Sequence, residues 1–325
     1  MALPKLFDDS LELPLIAAPM FLTSGPELVI ECCKAGVVGT FPALNQRSSE
    51  GFEDWLQTIK GSLAQYREAH PDKRVAPFGV NLIAHRSNAR LEADLALCVK
   101  HEVPLIITSL GAVPELVEKV HGYGGIVFHD VISLRHARKA AGAGVDGLIL
   151  VTAGAGGHAG KLNPFALLNE VRQFFDKTVL LSGCLSTGRD IATAQMMGAD
   201  LAYMGTRFIT TRESLAEPPN KQLLLESRAE DIVYTNRISG VNASFIAKSL
   251  VDNGFDPVQL TPDMPLAPEH KSEAGKKAWK AIWSAGQGVG SVNDVPHAAE
   301  LIGELKAQYR AAVSAWKGAS ANYNH

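Results

Sequence analysis

The rhythm of short apolar runs is the feature that most restricts how this chain can fold. From Leu15 onward, such runs alternate with segments of helical period at the spacing of successive βα units. Strands are expected at Leu15–Ala18, Val37–Phe41, Phe78–Asn81, Leu105–Thr108, Ile126–His129, Leu148–Val151, Val179–Ser182 and Leu201–Met204. Helices are expected near Pro26–Ala35, Gly51–His70, Ala89–His101, Val113–His121, Leu134–Ala143, Phe165–Phe175 and Thr187–Gly198. Eight strands with seven helices between them predict an α/β protein, a (β/α)8 TIM barrel. A doubly wound parallel sheet fits the alternation too, but no GxGxxG opens the first βα unit. Three helices end on glycine, in Lys34-Ala-Gly, Ala141-Gly-Ala-Gly and Met197-Gly-Ala-Asp, where a helix must stop before the next buried strand.

With 325 residues and a net charge of -3, the chain can bury a large core as a barrel with an appendage. No Lys/Arg cluster points to nucleic acid, and no apolar run approaches the roughly 18 residues that a membrane span needs. The expected partner is a small molecule; a homodimer is left open. The start, Met1-Ala-Leu-Pro-Lys-Leu-Phe, lacks the basic region and long apolar core of a signal peptide, so a cytoplasmic location is expected. Cys32, Cys33, Cys98 and Cys184 show no metal-ligand spacing, so no metal site is expected. All four read as reduced thiols, mostly in the core.

In such a barrel the chemistry collects where strands end. Those ends carry Ala18-Pro19-Met20, Asn81, Ser109, His129-Asp130, Ser182-Gly183 and Gly205-Thr206. The sixth strand runs into Thr152-Ala-Gly-Ala-Gly-Gly-His158-Ala-Gly-Lys161 before Pro164 opens a helix. Gly154, Gly156, Gly157 and Gly160 strip side chains from the backbone around His158, so a planar ligand or a phosphate can lie against the main chain with one imidazole over it. A loop histidine is more often merely solvated, and glycines after a strand are often only a turn. Ser182-Gly183 and Gly205-Thr206 sit where barrels bind phosphate, though each alone reads as a turn or a cap.

After Phe208 the alternation is lost. Residues 213–280 contain Pro218-Pro219, a Pro-rich stretch from Leu260 to Glu269 and a charged stretch from Glu269 to Lys280, and read as a helical lid domain. The barrel is then 1–212 together with 281–325. Glycine-dense Trp283-Ser-Ala-Gly-Gln-Gly-Val-Gly-Ser291 connects back to it and can bring Gln287 to a ligand's rim. An amphipathic helix follows from about Pro296 to Trp316, and a frayed tail is expected from Gly318.

Taken together, Ala18-Pro19-Met20, Phe78-Gly-Val-Asn81, Gly156-Gly157-His158-Ala-Gly160, Ser182-Gly183, Met204-Gly-Thr-Arg-Phe208 and Trp283-Ser-Ala-Gly-Gln287 resemble the nitronate monooxygenase family, formerly called 2-nitropropane dioxygenases. The resemblance covers nearly the whole chain and implies an FMN-binding barrel with a smaller helical domain. By motif, it implies that Pro19 and Met20 lie against the isoalloxazine beside Ala18, that Asn81 bonds its polar edge and that Gly156 and Gly157 give backbone contact. Ser182, Gly183, Gly205 and Thr206 would hold the phosphate, Gln287 would approach from the lid, and His129 would lie along the cofactor. His158 would be catalytic, as a base or as a hydrogen-bond donor to the nitronate. The chain departs from the family where several relatives carry a lysine after the fifth strand, having His129-Asp130 there. The implied reaction is oxidation of alkyl nitronates such as propionate 3-nitronate by O2. The alternatives are an NAD(P)H-dependent quinone or enoyl reductase on the same flavin, and a ligand binder without catalysis.

Overall fold

A computed structural model describes residues 3–260 and 281–321 of the chain. In order, its elements are β1 (Leu15–Ala17), α1 (Pro26–Lys34), β2 (Val38–Pro42), α2 (Ser49–Ala69), β3 (Phe78–Ile83), α3 (Leu91–Lys100), β4 (Leu105–Ser109), α4 (Pro114–His121), β5 (Ile126–Val131), α5 (Leu134–Gly142) and β6 (Gly147–Val151). There follow β7 (Gly157–His158), α6 (Pro164–Arg172), β8 (Thr178–Ser182), α7 (Gly188–Met196), β9 (Leu201–Met204), α8 (Thr206–Ile209), α9 (Pro218–Glu226), β10 (Ile232–Thr235), β11 (Ala243–Ile246), α10 (Ala247–Asp252) and α11 (Ala298–Ser320). Strands β1-β2-β3-β4-β5-β6-β8-β9 close into an all-parallel barrel, β9 pairing back on β1 through Leu15↔Ala202 and Ala17↔Met204. This is the TIM barrel read from the alternation.

The strands are apolar runs because both of their faces are buried. Ile16, Val38, Ile107, Phe128, Ile149, Leu180 and Leu201 form one interior cluster, joined by Phe7 of the N-terminal segment, whose ring lies 6.0 Å from that of Phe128. Val80, Ile106, Val127, Leu148 and Val179 instead pack outward with Leu56, Leu95, Val117 and Leu168 of the helices. Three glycine stops adopt the left-handed backbone that ends a helix, Gly36 at φ +78°, Gly144 at +86° and Gly198 at +107°. Helix α7 starts on a capping box between Thr187 and Asp190.

The eighth helix of the barrel is α11. It buries Leu301, Ile302 and Leu305 against Leu28 of α1 and Ile191 of α7. At Gly188 a Cβ would stand 2.0 Å from the Leu305 carbonyl oxygen, so only glycine lets α7 and α11 approach this closely. The appendage is not purely helical, as the expected lid over 213–280 was. Its described part carries α9 and α10 but also β10 and β11, which form an antiparallel sheet in the order β10-β11-β7 over Ile238, Phe245, Leu250 and Phe255. The run Ile232-Val-Tyr-Thr235 is β-branched and aromatic, the composition a strand favours. The Pro-rich and charged stretches from 261 to 280 lie outside the described residues, as do 322–325.

Candidate active site

The C-terminal ends of the barrel strands open into a cavity of about 830 Å³. Ala18, Pro19, Met20, Asn81, His129, Gly156, Gly157, His158, Ser182, Gly183, Gly205 and Thr206 all line it. Gln287 does not: its side chain is exposed outside the wall, its Oε1 faces the Cys184 thiol at 3.9 Å, and its backbone N–H donates to the Gly154 carbonyl at 2.8 Å. Tight passage of 284–288 beside the 154–157 loop sets this course, since a Cβ on Gly156 would stand 2.8 Å from the Gly286 nitrogen.

His158 is held by pairing with the appendage. Strand β7 is antiparallel to β11 with His158 opposite Ala243 and Gly157 opposite Ser244. Gly157 N–H donates to Ser284 Oγ at 2.7 Å, and that hydroxyl donates to the Ser244 carbonyl at 2.6 Å. Tyr234 of β10 donates to the Ala159 carbonyl at 2.9 Å. The imidazole faces the cavity, and the loss of water around it pushes its pKa below the ordinary histidine value. It is neutral at neutral pH and can accept a proton.

The opposite wall is a hydrogen-bonded chain. Asn81 Nδ2 donates to the Ile107 carbonyl at 3.1 Å and to Ser109 Oγ at 2.8 Å, and Ser109 donates to Asp130 Oδ2 at 2.6 Å. The Asn81 amide is thereby oriented by its nitrogen. Burial pushes the Asp130 carboxyl up to about 6, against the Ser109 bond that favours its charge, and Oδ1 is buried with no hydrogen-bond partner among the described residues. Beside it, His129 meets Thr108 Oγ1 at 2.6 Å, and burial, then the charges of His136 and Lys139, push it down to about 4. His129 is thus a neutral wall residue.

The remaining loops are fixed from behind. Ala18 N–H donates to the Met204 carbonyl at 2.9 Å, and Asn45 Nδ2 donates to the Met20 carbonyl at 3.0 Å. Register Ser182↔Tyr203 sets the loops after β8 and β9 side by side, bringing Ser182-Gly183 to Gly205-Thr206. Gly183 has φ +123° and a Cβ there would lie 2.5 Å from Thr152 Oγ1, so the turn requires glycine. Thr206 Oγ1 accepts from Gly286 N–H at 2.9 Å, which leaves its hydroxyl proton to donate. Gly157, at φ +66°, has open space where a Cβ would stand. Cys32, Cys33 and Cys98 are buried free thiols, in keeping with cysteines expected mostly in the core, whereas Cys184 is exposed and lines the cavity. No group of three or more His, Cys, Asp or Glu side chains could hold a metal ion among the described residues.

Sequence reasoning left Ser109 and Asp130 out of the site, although both were noted at strand ends. It passed over Tyr203, Arg135, His136 and Lys139, which also line the cavity. The signal for the last three was available, since a basic residue in the first turns of the helix after β5 is carried toward the barrel mouth.

Fold and site define a (β/α)8-barrel enzyme class in which glycine-walled loops and one strapped histidine surround a cofactor-sized cavity. The chain belongs to the nitronate monooxygenase family, whose model matches residues 80–308. That family is one of flavin-dependent oxidoreductases. A nitronate monooxygenase of Paraburkholderia phytofirmans is 27% identical over 354 residues, covering 92% of this chain and 93% of that protein. A 5-hydroxy-7a-methyl-1-oxo-octahydro-1H-indene-4-carboxyl-CoA dehydrogenase of Rhodococcus jostii is 28% identical over 240 residues, or 74% of this chain but only 64% of the relative's length. FabK of Thermotoga maritima has the same fold, with a TM-score of 0.79 at 22% identity over 98% of this chain and 99% of that one. No helix among the described residues is long and apolar enough to cross a membrane.

Proposed function

We propose that the chain is an FMN-dependent nitronate monooxygenase that oxidises alkyl nitronates with O2. The observation that carries this reading, beside family membership, is His158 fixed by the β7–β11 rung in the wall of a glycine-walled cavity at the strand ends. The cavity fits a flavin nucleotide. Its lining includes Ser182-Gly183 and Gly205-Thr206, which would hold the phosphate, Ala18-Pro19-Met20, and Asn81 and His129, which would border the ring. The open space beside Gly157 would admit a flat ligand against backbone, while Gly156 is closed off by Gly286. FMN bound there would supply the electron transfer and reaction with oxygen that no side chain in the cavity can.

The chain's own residues do the rest. Toward a nitronate, whose α-proton is already gone, a ring N–H of His158 would donate to a nitronate oxygen; only a neutral nitroalkane would lose the proton on the carbon beside its nitro group, to the unprotonated ring nitrogen, giving the nitronate. Ser284 and Ser244 keep the rung in register, so the imidazole meets the substrate in one orientation. The chain from Asn81 through Ser109 to Asp130 holds the amide rigid against the cavity. The appendage closes the substrate side.

The test is oxygen consumption by purified protein saturated with FMN and given propionate 3-nitronate. Uptake that vanishes in His158→Ala supports the proposal, and no uptake with FMN bound removes it. The dehydrogenase relative makes one other reading specific: rapid anaerobic bleaching of bound flavin by NADH or NADPH, without uptake on nitronate, assigns the site to a reductase.

A further inference from the structure

The cavity wall is electrostatically one-sided. Among the described residues that line it, Asp130 is the sole carboxyl, while Arg135 and Lys139 bring two permanent cations and His136 a third group that can charge. Arg135 and His136 sit on the first turn of α5, where the helix N-terminus adds partial positive charge, and Lys139 follows about one turn on, in the helix's last turn. Neither Arg135 nor Lys139 is in an ion pair among the described residues, and both are exposed. His136 Nδ1 meets only the Ser133 hydroxyl, at 3.1 Å. Their field reaches inward: His136 and Lys139 depress the pKa of His129, whereas no cation offsets the burial of Asp130. Next to these cations the mouth is apolar. Leu110 is 52% exposed, Ile132 37% and Val241 42%, and all three line the same opening. Large apolar side chains clustered at an opening mark a surface that a ligand covers.

We propose that the α5 side of the mouth is a subsite for an anionic group, carboxylate or phosphate, borne on an apolar chain whose other end reaches His158. Leu110, Ile132 and Val241 would cover the chain, and Arg135 and Lys139 would bind the anion. The subsite rests on the functional reading only in naming what lies at the far end of the substrate; its test needs no turnover.

The FMN-saturated protein is titrated at low salt with hexanoate against hexanamide, and with coenzyme A against pantetheine. At least one anion should bind about tenfold more tightly than its neutral partner, as two exposed cations allow. The double variant Arg135→Gln/Lys139→Gln should bring that preference within about twofold, with flavin absorbance and melting temperature unchanged because both side chains are exposed. Preference for hexanoate alone identifies the substrate's own carboxylate, and preference for coenzyme A alone a carrier phosphate. Equal binding of anion and neutral partner in both pairs, or a preference that survives the double variant, overturns the subsite. Oxygen uptake that fails while the preference holds refutes nitronate oxidation and leaves the subsite standing; intact uptake without the preference does the reverse.

Discussion

In the cavity wall, burial moves the protonation of His158 down and that of Asp130 up from their ordinary values. With its pKa below the ordinary value of 6.5, His158 stays a base to lower pH than a solvated histidine. The acid limb of kcat/KM should therefore fall below pH 6.5, and in His158→Ala it should disappear while kcat drops by about 100-fold or more and FMN stays bound. Asp130 and His129 are adjacent and linked to stability with opposite sign. Asp130 is raised from 3.8 to about 6, so its contribution is fully present below 3.8 and is lost as pH rises through 6. His129 is lowered from 6.5 to about 4, so its contribution is present above 6.5 and is lost as pH falls through 4. Acidification from pH 6 to pH 4 thus strengthens one and weakens the other. Asp130→Asn removes one arm, and its unfolding free energy from denaturant titration should fall more steeply over that interval than the wild type's, by about 2 kcal/mol. Parallel profiles would show that Asp130 does not carry the shift. The residue level was only partly legible in sequence. Glycines announce themselves because few other residues accept such backbones, but an aspartate at a strand end looks the same whether solvated or walled in beside Ser109.

At the scale of elements, the alternation of apolar runs disclosed all eight barrel strands, because parallel strands are buried on both faces and must be apolar throughout. It stopped two residues short in β3 and β5, at polar Asn81 and His129, whereas the strands run on to Ile83 and Val131. There the strands enter the cavity, where function replaces burial as the constraint. The rung of β7 on β11 was illegible, since two residues carry no period and their partner lies more than eighty positions away. Its importance can be measured at Ser284. Ser284→Ala removes the acceptor of Gly157 N–H and the donor to Ser244, two bonds worth about 1 kcal/mol each. Loss of kcat by about tenfold, with FMN affinity within twofold of wild type, is the expected result; unchanged kcat would mean that the rung does not aim the imidazole.

For the whole molecule, β9 closes the strands on β1, but the ring of helices is completed only when α11 returns after the long excursion through the appendage. The strand count gave eight strands but seven helices, because the eighth is displaced some ninety residues downstream of β9. Gly188→Val tests the closure: a side chain 2.0 Å from the Leu305 carbonyl oxygen must push α11 away, at a cost of about 3 kcal/mol or more, read as a fall in melting temperature. Ligand acts in the other direction. If FMN fills the cavity, its addition at 100 times its dissociation constant stabilises the fold by about 2.7 kcal/mol, and the melting temperature should climb by about 5 °C or more. No change on adding FMN would mean that the strand ends do not house it.

The two-residue strand at 157–158 ties reactivity to posture. It is at once the perch of the imidazole and the seam joining the appendage to the barrel. On the proposed role of His158, any displacement of β11 would displace the imidazole paired beside it.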